Sequence, residues 1–301
     1  MVPRLLEAFQ AVWPPWDADQ SILENRRLSV DWLRNDRTLG AGSLARAAAG
    51  ELAKLARLAG ETEDFRQREP ALRGALTELG KVRPTMAAPA NLLADIASQP
   101  GAWVSAWRLV LAIDRQVQAS HEAELQTARR VAERLKEFRR PMTISYSGTV
   151  AAALKLAAAR LERVFVCESR PLLEGRRLAA ELAGVGTLVT LITDAAPFSA
   201  MSEADSVLLG ADAVLCNGDV LNKTGSAGLA LAAAHFGRPV IVGADRLKWE
   251  REPGTVRRNE FNPAEEVWDE PPSGVSVGNG YFDLIPADLL SEIIWEGAAS
   301  P

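Results

Sequence analysis

Between Gly210 and Gly225 the chain reads GADAVLCNGDVLNKTG, with two carboxylates, two asparagines, one lysine and three glycines set between apolar runs. That mixture suits acid–base work and the holding of an anion. A carboxylate such as Asp212 can take and return a proton, and Lys223 can answer a negative charge. A second group of interest is Thr143-Ile144-Ser145-Tyr146-Ser147-Gly148-Thr149. Here an apolar run ends in hydroxyl and backbone donors just before a helix, an arrangement that favours anions.

The elements that must position these residues follow from periodicity. Up to Arg140 the apolar spacing is helical: Leu44, Ala48, Leu52 and Leu55 form one stripe, with Ser43 as a candidate cap, and Ala71 to Leu79 continues in the same style. The longest helix is predicted over 102–139, roughly 55 Å at 1.5 Å per residue, with Trp103 and Trp107 read as core. After Pro141 the pattern becomes β/α alternation, with strands at 142–145, 164–167, 188–192, 206–209, 213–216 and 240–242. The helices between them are placed at 151–160, 173–183 and 226–236. This predicts an α/β fold: an N-terminal helical domain over 1–140, including the long linking helix, then a Rossmann-like parallel-sheet domain over 141–301. Asp212, Asn217, Asp219, Asn222 and Lys223 then fall at strand ends and in the following turn, where open α/β sheets bind ligands. Residues 249–280 read as a long ordered loop, and 286–295 as a last amphipathic helix.

Composition narrows the classes. The 301 residues are 48% hydrophobic and 24% charged, with net charge −5, so a disordered chain and a phosphate-backbone nucleic-acid binder are both disfavoured. No apolar run long enough to span a membrane and no leader-type segment at Pro3-Arg4 is seen, so a cytoplasmic protein is expected. Two cysteines, Cys167 and Cys216, rule out a disulfide scaffold and a four-cysteine zinc site, and both read as small buried hydrophobes. His121 and His235 lack spaced ligand partners. No metal and no cofactor is expected, and no glycine cluster fits a nucleotide-binding fingerprint.

Six stretches in order, Arg83-Pro84-Thr85, Glu168-Ser169-Arg170-Pro171 with Glu174-Gly175-Arg176, Leu191-Ile192-Thr193-Asp194, Gly210-Ala211-Asp212, Asn217 to Gly225, and Tyr281 to Pro286, resemble one known family. It is that of the initiation factor 2B alpha, beta and delta subunits, which includes methylthioribose-1-phosphate and ribose-1,5-bisphosphate isomerases. The resemblance implies a helical domain followed by a Rossmann-like domain, a homodimer or higher homo-oligomer, and a phosphorylated small-molecule ligand. By the same resemblance, Gly40, Ala41 and Arg83 hold the phosphate, Asn222 and Lys223 close on the substrate, and Asp212 is the catalytic carboxylate. Ser145 stands in the position of the isomerases' cysteine, Leu39 in that of an arginine, and Glu174 where glutamine is common. A serine hydroxyl does not ionise near neutral pH without a dedicated base. Arg37 and Cys216 are the residues considered as replacements for the missing arginine and thiol. Three functions stay open: an aldose–ketose sugar-phosphate isomerase, a silent sugar-phosphate or nucleotide sensor, and an assembly protein.

Overall fold

The computed structural model describes residues 22–60, 65–256 and 262–297. The stretch read for a leader-type run, and five residues of the 249–280 loop, lie outside them. The described residues form two compact units, one up to Glu122 and one from Ala123, and the boundary falls inside a long helix.

The first unit contains α1 (Ile22–Asn35), α2 (Ala41–Gly60), α3 (Phe65–Gly80), α4 (Ala87–Ala97) and the first part of α5 (Ala106–Arg134). Helix α2 forms because its alanines and leucines have high helix propensity and recur on the 3.6-residue period. Its predicted stripe of Leu44, Ala48, Leu52 and Leu55 is buried throughout. Ser43 lies inside the helix rather than capping it, since α2 begins two residues earlier at Ala41. Helix α5 is shorter than predicted, about 43 Å, because 3-10 turns at Ala102–Val104 and Leu135–Glu137 replace its ends. Trp107 is 73% exposed, so the core reading fails there. Trp103 instead donates its indole N–H to the Ala97 carbonyl at 3.1 Å, under the Arg73 guanidinium.

The second unit is an α/β domain. Its strands are β1 (Pro141–Ile144), β2 (Val164–Cys167), β3 (Val189–Ile192), β4 (Ser206–Leu209), β5 (Ala213–Val214), β6 (Val220–Lys223), β7 (Val240–Gly243), β8 (Phe282–Ile285) and β9 (Glu292–Ile294). The helices are α6 (Gly148–Ala157), α7 (Glu174–Gly184), the one-turn α8 (Pro197–Ala200) and α9 (Ser226–His235). A parallel sheet runs β3-β2-β1-β4-β7-β9. The period of two sorts its side chains between two cores. Met142, Ile144, Phe165, Cys167, Val207, Leu209, Val240 and Val242 face α9. Val164, Val166, Leu208 and Ile241 face α6, α7 and the end of α5. Burial on both faces is why these strands read as continuous apolar runs.

Three expectations need correction. Residues 286–295 do not form a helix: a 3-10 turn at Ala287–Leu289 leads into β9, which joins β7 through Ser291 N–H to Val240 O and Ala244 N–H to Ile294 O, both 2.9 Å. The paired leucines and isoleucines satisfied a helical spacing, but Ile293 and Ile294 go to opposite faces of the sheet, as alternation requires. Residues 220–223, read as turn, form β6 in a separate antiparallel sheet, β5-β6-β8. The run 213–216 accordingly contributes just two residues, to that smaller sheet.

Candidate active site

The parallel sheet reverses its winding between β1 and β4. From β1 the chain steps outward through β2 and β3, then crosses back to place β4 on the other side of β1. Loops leaving the carboxyl ends of such neighbours diverge and leave a crevice. Ser145 and Ser147 follow β1, and Gly210 follows β4, so both chemistry-bearing stretches meet there.

Contacts around this crevice close into a ring. A side chain at Gly210 would place its Cβ 2.6 Å from Ser147 Oγ and 3.9 Å from Asn222 Oδ1, so only glycine lets these three approach. Asn222 donates from Nδ2 to Ser226 Oγ at 2.8 Å. The next residue, Lys223, is paired with Glu174 at 2.9 Å from Nζ to Oε1, with its ammonium 5.0 Å from the centre of the Tyr281 ring. Behind Glu174, Gly175 packs directly on the Cys167 carbonyl. That carbonyl accepts from Ser169 Oγ at 2.9 Å, and Ser169 Oγ accepts from the Ser145 N–H at 2.7 Å. Ser145 has φ of 68°, a left-handed conformation unusual for a non-glycine residue. The Ser169 contact holds that turn in place.

Asp212 enters from β4 by way of Gly210 and Ala211. Its N–H donates to Leu221 O at 2.8 Å, which fixes it beside β6, one residue from Asn222. It is partly buried. Asp219 does not pair with Lys223, because its carboxylate accepts from Asn217 Nδ2 and from the Ala287 N–H.

Two supports were visible in the motifs without a role attached. Asp194 accepts from the N–H groups of Ser169 and Arg170 at 2.8 and 2.6 Å and sets the loop that carries Ser169. Asp283 accepts from the N–H groups of Gly225 and Ala227 at 2.7 and 3.2 Å, capping α9. Sequence reasoning missed Tyr281 as the ring against Lys223. Its neighbour β8 had not been recognised as a strand, so nothing aligned it with β6. A cleft of about 360 Å³ adjoins this region, lined in part by Arg170, Pro171, Thr224, Gly280, Phe282 and Asp283. Arg170 donates to the carbonyls of Glu266 and Val267, while Glu168 pairs with Arg176 at 2.9 Å.

No thiol takes the place Ser145 holds. Cys167 is buried in the core, and burial, with the nearby Asp194 carboxylate, pushes its pKa up to about 12. It is protonated at neutral pH and has no nucleophilic role there. Cys216, expected to be buried, is exposed at the β5–β6 turn, its Sγ 3.4 Å from Glu250 O; desolvation by its neighbours and the Glu250 carboxylate raise its pKa too. Among the described residues no His, Cys, Asp and Glu group has the clustering of a metal site.

Gly40, Ala41 and Arg83 lie in the first unit. Asp36 Oδ1 accepts from the Thr38 and Leu39 N–H groups at 2.9 and 2.8 Å, a turn that delivers Gly40 and Ala41 to the start of α2. Arg83 is buried and donates to the Asp36 carbonyl, bracing that turn. Arg37 donates to the carbonyls of Arg34 and Asp36 at 2.9 and 3.2 Å.

The sequence profile of the initiation factor 2 subunit family matches residues 37–301. The chain belongs to that family. Its members of known name include sugar-phosphate isomerases. The ribose 1,5-bisphosphate isomerase of Archaeoglobus fulgidus is 31% identical over 283 residues, 91% of this chain and 88% of that protein. The methylthioribose-1-phosphate isomerase of Symbiobacterium thermophilum is 40% identical over 156 residues, 46% of this chain; that match spans 42% of the relative's length, so less than half of it. Among solved structures, the translation initiation factor eIF-2B of Pyrococcus horikoshii superposes with a TM-score of 0.77 at 28% identity, covering 91% of this chain and 94% of that one. The fold of this family member is thus a helical unit followed by a parallel-sheet α/β domain, as the periodicity and the resemblance implied. Among its described residues no helix is long and apolar enough to cross a membrane.

Proposed function

We propose that this family member binds a phosphorylated sugar and interconverts its aldose and ketose forms, with Asp212 as the group that moves the proton. The observation that supports this most directly is the junction of Ser147, Gly210 and Asn222 at the winding reversal, two residues from Asp212. A carboxylate held there balances the proton count alone. It takes the proton from C2 as the bond between C1 and the ring oxygen breaks, leaving a C1–C2 enol that still carries phosphate on O1. It returns that proton to C1, while the hydroxyl hydrogen of O2 passes to the freed ring oxygen as C2 becomes the ketone. Ser145 and Ser147 supply neutral hydroxyls that orient oxygen atoms. In this reading Asn222, Lys223 and Glu174 contact the sugar.

The test is incubation with ribose 1,5-bisphosphate and methylthioribose-1-phosphate, followed by carbon NMR. A ketone carbonyl resonance is expected from at least one of them. No ketose from either, with both ligands bound, would leave the sensor reading in its place.

The protein is further proposed to act in the cytoplasm as a homodimer. Its two free thiols suit a reducing compartment. Leu188 and Leu191, by and on the edge strand β3, are exposed, as are Phe198 and Leu231 on the same unit. Burying such groups against a second copy gains about 25 cal/mol per Å². Sedimentation is expected to give twice the 32.4 kDa chain mass, and Leu188→Asp with Leu191→Asp to give the monomer. A wild-type monomer at micromolar concentration overturns the assignment.

A further inference from the structure

We propose that Glu174 makes the position beside Lys223 a site for a neutral hydroxyl of the ligand and not for a phosphate, so that the preferred ligand carries one phosphate rather than two. This rests on the sugar-phosphate reading above and narrows its substrate class.

Lys223 is 5% exposed. A buried ammonium without a counter-charge is costly, and such a cation would draw in an anionic group. Here the counter-charge is already present in Glu174, 2.9 Å away, and the Tyr281 ring covers another side of the ammonium. The pair is locally neutral, so the attraction for a second anion is cancelled. A phosphate seeking Lys223 would also set its oxygens beside a carboxylate at low dielectric, where like charges repel strongly.

The remaining oxygen of Glu174 points to what is wanted instead. Oε2 is buried and accepts no hydrogen bond among the described residues. An ionised carboxylate is acceptor-only, and an orphaned buried acceptor carries its full desolvation penalty. A ligand hydroxyl cures this: it donates to Oε2 in a charge-assisted bond and leaves the ion pair intact. A phosphate dianion has no hydrogen to give. The backbone holds Glu174 in register for this, because Gly175 is packed on the Cys167 carbonyl and Leu173 turns the chain with φ of 61° just before the helix. The ring of contacts described above therefore presents a carboxylate oxygen and a satisfied ammonium, together a hydroxyl receptor.

The experiment is calorimetric titration of the full chain and of Glu174→Gln with ribose 1-phosphate, which has a hydroxyl where the bisphosphate has its second phosphate, and with ribose 1,5-bisphosphate. The unmodified protein is expected to bind the monophosphate at least about tenfold more tightly. Glu174→Gln, which keeps the shape and removes the charge, is expected to shift that ratio toward the bisphosphate by about tenfold or more, through tighter binding of the bisphosphate. Equal or tighter binding of the bisphosphate by the unmodified protein overturns the inference, even if the variant fails to fold. An unchanged ratio in a folded variant overturns it too. Absence of binding by both ligands removes the sugar-phosphate reading itself and this one with it, whereas binding of both with the wrong ratio removes this one alone.

Discussion

Asp212→Asn is expected to lower the turnover of a sugar phosphate by about a thousandfold while changing its dissociation constant by no more than a few-fold. The amide keeps the size of the carboxylate and cannot accept a proton from carbon. The backbone N–H that fixes residue 212 to Leu221 O at 2.8 Å is untouched by the change, so the fold stays in place and the deficit is chemical. The measurement is steady-state kinetics paired with calorimetry on the same preparations. A variant with turnover near the unmodified level would show that some other group carries the proton. The comparison gains force from the state of the two thiols, since Cys167 is held protonated with a pKa of about 12 and Cys216 stands exposed at the β5–β6 turn. Neither offers a thiolate to take over.

Gly175→Ala is expected to be the most damaging single-methyl change in the α/β unit. An added Cβ would sit 1.9 Å from the Cys167 carbonyl oxygen and 2.9 Å from its carbon, both backbone atoms of a central strand that cannot rotate away. Helix α7 would have to lift off β2, at a cost of about 3 kcal/mol. For a unit of this size that lowers the melting temperature by roughly 6–12 °C. Activity should fall as well, because Glu174 moves with the helix start. Gly184→Ala at the far end of the same helix serves as the control: nothing lies within 4 Å of its added methyl, and helix propensity alone predicts a small gain. Thermal unfolding of the two variants side by side decides the point; equal melting temperatures would refute the close packing of α7 on β2.

What could be read from the chain, and what could not, divides along physical lines. Strands β2 and β4 were placed to the residue because they are buried on both faces, and such strands consist of unbroken apolar runs. The pairing of Leu44, Ala48, Leu52 and Leu55 was as plain, since one stripe of one helix fills a core. Strand β6 was hidden for the opposite reason. Its sequence Val-Leu-Asn-Lys places two polar residues in a buried strand, and without knowledge of Glu174 and Ser226 as their partners those residues look like a turn. Cys216 was misread because the run before it is apolar, although the chain turns outward immediately after the buried Leu215. Ser147 and Gly210 were legible as motif positions. Their mutual reach was not, because it depends on the winding reversal of the sheet and on the absence of a side chain at Gly210.

Strand β9 carries an implication for the order in which the unit assembles. Strands β1 to β4 and β7 lie within Pro141–Gly243, yet the flank of β7 is completed by residues 292–294, which also bring Glu292 to the guanidinium of Arg134. On a ribosome, the helices and most of the sheet emerge long before that last strand does. Until it arrives, β7 presents a row of unsatisfied amides and carbonyls to the surroundings, the kind of edge on which nascent chains pair wrongly. The interval between the synthesis of β7 and that of β9 is therefore the one in which this flank of the sheet is most open to wrong pairing.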